Sequence, residues 1–286
     1  MASRARVDPL AGTAPPIERY LLVEHPGPWG ASAHPTQDLP RPQGDALRAA
    51  AARLGARLLL IRRPGRQSRP DQLRWGYADA RLATLRWGTC SDLTSASFDP
   101  EEATPGEAAY LVCTQGRHDR CCAIDGRPVA AALARLRPEQ TWECTHVGGD
   151  RFAANVVVLP HGLAYGRVGP DDAAELVAAY EAGRLVPRLL RGRTTGPPAL
   201  QYVAAQIRRL TGSAGVDDVE PLEVARSGPD AWRVVLRVRG QAYESHVRET
   251  HSVVATPLTC AGVGPGTQRG FETLALDRVP EPRAGR

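Results

Sequence analysis

The chain has 286 residues, 42% hydrophobic and 23% charged, with a formal net charge of +5. Those values suit a soluble globular protein with room for a sizeable core; no run of about eighteen apolar residues marks a membrane span, and the N-terminal MASRARVDPLAG lacks the apolar segment of a secretory signal. All 36 Lys+Arg residues are arginine, in short stretches such as Ile61-Arg-Arg-Pro-Gly-Arg66 and Leu190-Arg-Gly-Arg193 without interleaved aromatics, so neither nucleic acid nor a membrane is an expected partner.

The expected compartment is the cytoplasm, where the six cysteines stay reduced and act as ligands or reactive thiols rather than as a disulfide framework. In chain order, Tyr20-Leu-Leu-Val-Glu24 is a short buried strand running into the turn His25-Pro-Gly-Pro-Trp29-Gly30. A helix is predicted from Asp45 to Leu54, ended by Gly55, and a second strand over Arg57–Arg62. A polar loop covers 64–72 and Arg81–Trp87 reads as a third strand, so residues 8–98 are expected to form an N-terminal α/β layer. Asp99-Pro-Glu-Glu-Ala-Thr-Pro-Gly106 is a polar connector and the expected domain boundary.

Beyond it, Ala108–Cys113 is a buried strand that ends on Cys113. Pro128–Leu136 is a helix with proline in its first turn, and Thr141–Cys144 is a further strand. Phe152–Leu159 and Leu163–Val168 make a hairpin around Pro160-His161-Gly162, and Asp171 or Asp172 caps a helix ending near Ala182. The order strand, helix, strand, loop, hairpin, helix over 106–195 is compatible with a thioredoxin-like layer. Residues 196–275 are expected to be a smaller α+β region, with a helix over Ala199–Leu210 and strands over Ala231–Val238 and Gln241–Val247. The tail, 276–286, is expected to be disordered.

The chemistry is concentrated in two segments, Cys113-Thr-Gln-Gly-Arg-His-Asp-Arg-Cys121-Cys122 and Cys144-Thr-His146-Val-Gly-Gly-Asp150. Thiolate and imidazole are soft or borderline ligands, so such clusters suggest a metal or redox centre. Eight residues between Cys113 and Cys122 can wrap a polar loop around an iron–sulfur rhomb, with Arg117 and Arg120 offsetting its negative charge. Gly148 and Gly149 let the backbone bend closely around a bulky inorganic group.

Two other readings stay open. One is a zinc site, although it lacks the Cys-x-x-Cys knuckle. The other is a metal-free thiol–disulfide centre using Cys113 with Cys121 or Cys122. His118 is read as a solvated loop residue, His25 and His161 as structural, and Cys90 and Cys260 as isolated thiols. No Gly-x-Ser-x-Gly or His-Glu-x-x-His motif occurs, and no carboxylate pair stands out for glycoside hydrolysis.

Several motifs together resemble the sucrase/ferredoxin-like family: Pro9-Leu-Ala-Gly-Thr-Ala-Pro15, Val23-Glu-His-Pro-Gly-Pro-Trp29-Gly, Cys113-Thr-x-Gly-Arg-x-Asp119-x-x-Cys122, His146-x-Gly-Gly-x-Arg-Phe-Ala153 and Leu159-Pro-x-Gly. They span roughly residues 8 to 195. The resemblance implies a thioredoxin-like [2Fe-2S] ferredoxin domain within an α/β fold. It implies Cys113, Cys122 and His146 as cluster ligands. In the family's pattern a second histidine follows the first by four positions, where this chain has Asp150. Carboxylate is a hard ligand for such a cluster, so Cys144 is favoured as the fourth ligand, with Asp150 or Cys121 as substitutes.

The implied function is electron transfer or redox sensing, as an electron carrier rather than a stand-alone enzyme, with an unidentified redox protein as partner. One imidazole in place of a thiolate predicts a potential between about −400 mV, as in plant-type ferredoxins, and the range of about −150 to +300 mV for Rieske centres.

Overall fold

The fold, a computed structural model describing residues 8–66, 72–260 and 262–280, starts with strand β1 (Arg19–Glu24), helix α1 (Arg41–Leu54) and strand β2 (Arg57–Arg62). β1 and β2 pair in parallel, which the crossover through α1 makes possible. α1 begins ahead of the predicted Asp45, with Pro42 in a first turn where its missing N–H leaves no bond unmade. In place of the single strand expected over Arg81–Trp87 there is an antiparallel pair, β3 (Leu73–Asp79) and β4 (Thr84–Cys90). Residues 67–71 of the predicted loop lie outside the described residues. The two-residue β5 (Thr104–Pro105) borders β4.

The second half repeats this plan. Strand β6 (Ala109–Cys113), helix α2 (Arg120–Leu136) and parallel strand β7 (Thr141–Cys144) are followed by the hairpin β8 (Val156–Leu159) and β9 (Leu163–Tyr165). Helix α3 (Ala173–Glu181) and strand β10 (Leu190–Arg193) come next. The ten strands form one sheet in the order β10-β9-β8-β6-β7-β2-β1-β3-β4-β5. The second half has the order β9-β8-β6-β7, with a central first strand parallel to the second and antiparallel to the third. That is the strand order of the thioredoxin-like layer, closed by α3.

The first half has the same arrangement in mirror position, β2-β1-β3-β4. The two halves meet where β2 pairs antiparallel with β7, Ile61 opposite Cys144 and Arg62 opposite Glu143. Arg62 and Glu143 form a buried ion pair there at 2.7 Å. The segments expected as separate layers, 8–98 and 106–195, thus contribute to one continuous sheet.

Twist coils the sheet far enough that Trp87 of β4 stacks on Trp142 of β7, centroids 5.5 Å apart. Inside the coil lies one core drawing on eight strands, including Leu22, Leu59, Ala78, Leu85, Leu111, Trp142 and Val157. α1 covers Leu21, Val23, Leu58 and Leu60, and α2 and α3 cover Tyr110, Val112 and Val156.

Helix α4 (Pro198–Thr211) then packs on a four-stranded antiparallel sheet, β11 (Val219–Arg226), β12 (Ala231–Val238), β13 (Gln241–Val254) and β14 (Gly266–Val279). β14 extends to Val279, so the first residues of the segment expected to be disordered are strand; 281–286 lie outside the described residues. Among the described residues no helix is long and apolar enough to cross a membrane.

Candidate functional site

Cys113 and Cys144 end neighbouring parallel strands and are register partners. After Cys113 the chain turns through 114–119, and Asp119 accepts the Cys121 N–H at 2.8 Å as the cap of α2. Cys121 and Cys122 therefore sit fully buried in the first helical turn, which corrects their reading as part of a polar loop. Pro128 lies inside this helix and does not start it, because the cap at Asp119 fixes the start. α2 can approach β6 because Gly126 has no Cβ; one built there would lie 2.3 Å from the Cys113 carbonyl oxygen.

On the facing segment, Thr145 closes β7 against β2 by donating its N–H to Leu60 O (2.9 Å) and accepting Leu60 N–H on Oγ1 (3.1 Å). Gly148 and Gly149, at φ 84° and 83°, then fold the chain back so that Asp150 returns to His146, the tight bend their sequence suggests.

Four side chains converge at this bend. Cys122 Sγ–H donates to Asp150 Oδ1 at 3.5 Å, and His146 Nδ1 lies 2.8 Å from the same oxygen. The Cys113 sulfur touches both Cys122 and His146. His118 joins them: its ring stacks on His146 with centroids 4.1 Å apart, and its Nε2 is 3.5 Å from Asp150 Oδ2. It is only 22% exposed, which corrects its reading as solvated. Cys144, fully buried, is the register partner of Cys113 and lies in the same apolar cluster as Cys113, Cys122, Ile61, Leu111 and Trp142. No hydrogen bond joins it to His146 or Asp150 among the described residues.

The charged groups of the site act on one another. A hydrogen bond from Cys122 and the nearby His146 hold the Cys113 thiol well below its ordinary value against the opposing effect of burial. Cys122 is pushed up by Cys113 and by burial, and Cys144 is pushed up mainly by burial. Burial alone would lower His146, but the Asp150 carboxylate and the Cys113 sulfur outweigh it and raise it to about 9. Burial would raise Asp150, but His146 and His118 pull it below the usual carboxylate value. The surroundings thus favour the charged forms of Cys113 and Asp150 and the protonated form of His146.

Three residues outside the expected set build the walls. Gln115, 2% exposed, donates from Nε2 to Gly30 O and Ser32 O, both at 2.9 Å, and accepts the His146 N–H at 2.7 Å. It ties both cysteine-bearing loops to the turn after β1, and so explains the His25–Gly30 motif. Arg191, 2% exposed, donates to Gly148 O (2.9 Å), Asn155 Oδ1 (2.7 Å) and Thr13 O (2.5 Å), while Asn155 donates to Gly149 O (2.9 Å). The N-terminal motif thus acts as a brace for the glycine turn. Arg117 and Arg120 are exposed, so the buried cation near Cys113 and Asp150 is Arg191, pushed down by burial to about 9.

Two thiols and an imidazole are donors that an iron–sulfur cluster accepts. His146 Nδ1 is buried and, despite its 2.8 Å approach to Asp150, makes no aligned hydrogen bond among the described residues. A ring nitrogen ligates only when neutral, so binding would displace the proton that Asp150 favours on His146; with that proton lost, the residues present fit such a group, with Asp150 as the hard member of the set.

Residues 10–192 match the sucrase/ferredoxin-like family, more than half of the chain. The chain belongs to the sucrase/ferredoxin-like family. A curated relative, altered inheritance of mitochondria protein 32 from Meyerozyma guilliermondii, is 27% identical over 115 residues, 36% of this chain. The match spans about two fifths (41%) of that relative's length. The thioredoxin-like [2Fe-2S] ferredoxin from Aquifex aeolicus is 27% identical, with 32% of this chain and 94% of that one covered at a TM-score of 0.28. A cysteine-to-serine variant of the same ferredoxin gives 26%, 29%, 97% and 0.27. These are similarities to part of the chain; the fold described above rests on the strand order itself.

Proposed function

We propose that Cys113, Cys122, His146 and Asp150 hold a [2Fe-2S] cluster, and that this sucrase/ferredoxin-like protein acts in electron transfer or redox sensing with a redox protein as partner. The observation that carries this reading is the convergence of the four side chains, drawn from two distant segments, into mutual contact at a glycine-hinged bend. Bound there, the cluster would supply one-electron chemistry.

The chain's own residues hold it, shield it and balance its charge. Gln115 and Arg191 fix the two ligand loops, the coiled sheet keeps water from the cysteine side, and the Arg191 guanidinium offsets thiolate charge. Half-buried His118 and His146 mark the side from which a partner can approach. Asp150 is the fourth ligand in this proposal because it touches two of the other three.

Oxygen-protected protein should be brown, carry about two irons and two sulfides per chain, and give an EPR signal on reduction. Asp150→Ala should bleach or shift the visible bands and Cys144→Ser should leave them in place; the reverse result would move the fourth ligand to Cys144. Colourless protein that takes up one zinc, or that cannot be reconstituted with iron and sulfide, would overturn the cluster.

A further inference from the structure

We propose that Cys121 and Cys260 form a reversible disulfide that tethers the tip of the β13–β14 hairpin to the first turn of α2. Their sulfurs are paired across 139 residues of sequence, with Cα atoms 6.7 Å apart, within the span a disulfide bridges. This overturns the reading of Cys260 as an isolated thiol.

The pairing is prepared by a group other than the sulfurs. Asp119, 2% exposed, accepts the Cys121 N–H on Oδ1 at 2.8 Å and the Cys260 N–H on Oδ2 at 2.7 Å. One buried carboxylate therefore holds both backbones and brings the two cysteines face to face before any bond forms. The hairpin that carries Cys260 is long, with strands of 14 residues each. It is anchored at mid-length, where Phe271 stacks on Tyr202 of α4 at 5.3 Å. Towards the tip Val253 and Val263 are 76% and 97% exposed, so little apolar burial holds that end down. The tether ends one residue from Cys122, so it fixes the same helical turn that presents Cys122 to the site.

Exposure sets the direction of exchange. Cys121 is fully buried and Cys260 half-buried, so an external dithiol attacks the Cys260 sulfur. The Cys121–Cys260 bond breaks, Cys121 leaves as thiolate and takes a proton, and Cys260 is held in a mixed disulfide. The second thiol of the reductant attacks its own bound sulfur and releases Cys260, which is protonated in turn. The reductant ends as a disulfide, having given two electrons and two protons. A small disulfide such as oxidised glutathione runs the exchange backwards. Tethered, the tip is fixed covalently to the start of α2; released, it is held there only by the Cys260 N–H to Asp119 hydrogen bond, and moves aside when that bond opens.

The test does not depend on iron, so it can fail while the cluster stands, and the reverse. The full chain is equilibrated with oxidised glutathione or with dithiothreitol. Peptides are then mapped without reduction, free thiols are alkylated, and amide hydrogen exchange is followed across 252–266. The oxidised sample should yield the Cys121–Cys260 linked peptide, and dithiothreitol should remove it, with tip exchange roughly tenfold faster. Cys260→Ser should exchange at the fast rate under both conditions, and Cys121→Ser should leave Cys260 open to alkylation in both. Absence of the linked peptide, equal exchange rates in the two states, or a stoichiometric zinc that protects both thiols from alkylation would overturn the tether.

Discussion

Arg191 shows how much of this site is held by one side chain. Its guanidinium is buried among oxygens, with Gly148 O, Thr13 O, Thr13 Oγ1 and Asn155 Oδ1 all accepting from it. Arg191→Met would leave those acceptors unmatched in a dry interior, at a cost of about 3 kcal/mol. For a chain of this size that lowers Tm by roughly 6–12 °C. Urea unfolding of the variant checks it, and a loss below about 1 kcal/mol would show that water replaces the guanidinium. Nothing in Leu190-Arg-Gly-Arg193 distinguishes this residue from an exposed basic stretch, because its partners lie 36 to 178 positions away. Gln115 was hidden for the same reason: it stands between Cys113 and Cys122 as an unremarked polar residue, yet binds three separated backbone groups. Cys113, Cys122 and His146 were legible because their donor chemistry is in the side chain itself.

Among the elements, strong local signals were legible and weak ones were not. β1, β2, β6 and β7 are short apolar runs, and each emerges where its pattern lies. β3 carries Arg74 and Gly76 within its length, and β11 carries two glutamates and Pro221, so neither has an apolar signal strong enough to outweigh a loop reading. In α2 a proline misled and an aspartate cap was decisive.

The turn between α4 and β11 is also built on an aspartate. Asp218 accepts from Ser213 Oγ–H (2.5 Å) and Gly215 N–H (2.8 Å), and these hydrogen bonds hold its carboxyl below the ordinary 3.8. A carboxylate lowered in the folded state adds stability above its unfolded value, and that stability is lost as pH falls through the lower, folded value. Wild-type unfolding free energy should therefore drop more steeply between pH 5 and pH 2 than that of Asp218→Asn, by chemical denaturation at each pH. Parallel curves would mean that the carboxylate gains nothing from this turn.

At the scale of the molecule, two four-stranded units of like order meet at β2 and β7 to make one coiled sheet. The junction is short, and its polar pin is Arg62–Glu143, with side chains 5% and 9% exposed and Thr114 Oγ1–H donating to the same carboxylate oxygen at 3.1 Å. Removing one partner of such a pair leaves an uncompensated buried charge, so Arg62→Met should cost about 3–5 kcal/mol. Adding Glu143→Leu should recover much of that loss, since a matched apolar pair carries no desolvation penalty. A double variant as unstable as the single one would show that the pin is needed for the junction geometry itself.

The sequence by itself determined the alternation of strands and helices, the thioredoxin-like order of the second half, and the two segments that bring soft ligands together, because periodicity and donor chemistry are local properties. Only the tertiary structure decided that the two halves share a sheet, that Asp150 reaches Cys122 and His146 with His118 stacked beside them, and that Cys260 reaches Cys121. Each of those facts depends on how segments scores of residues apart are registered and coiled against one another, and a linear pattern carries no record of that.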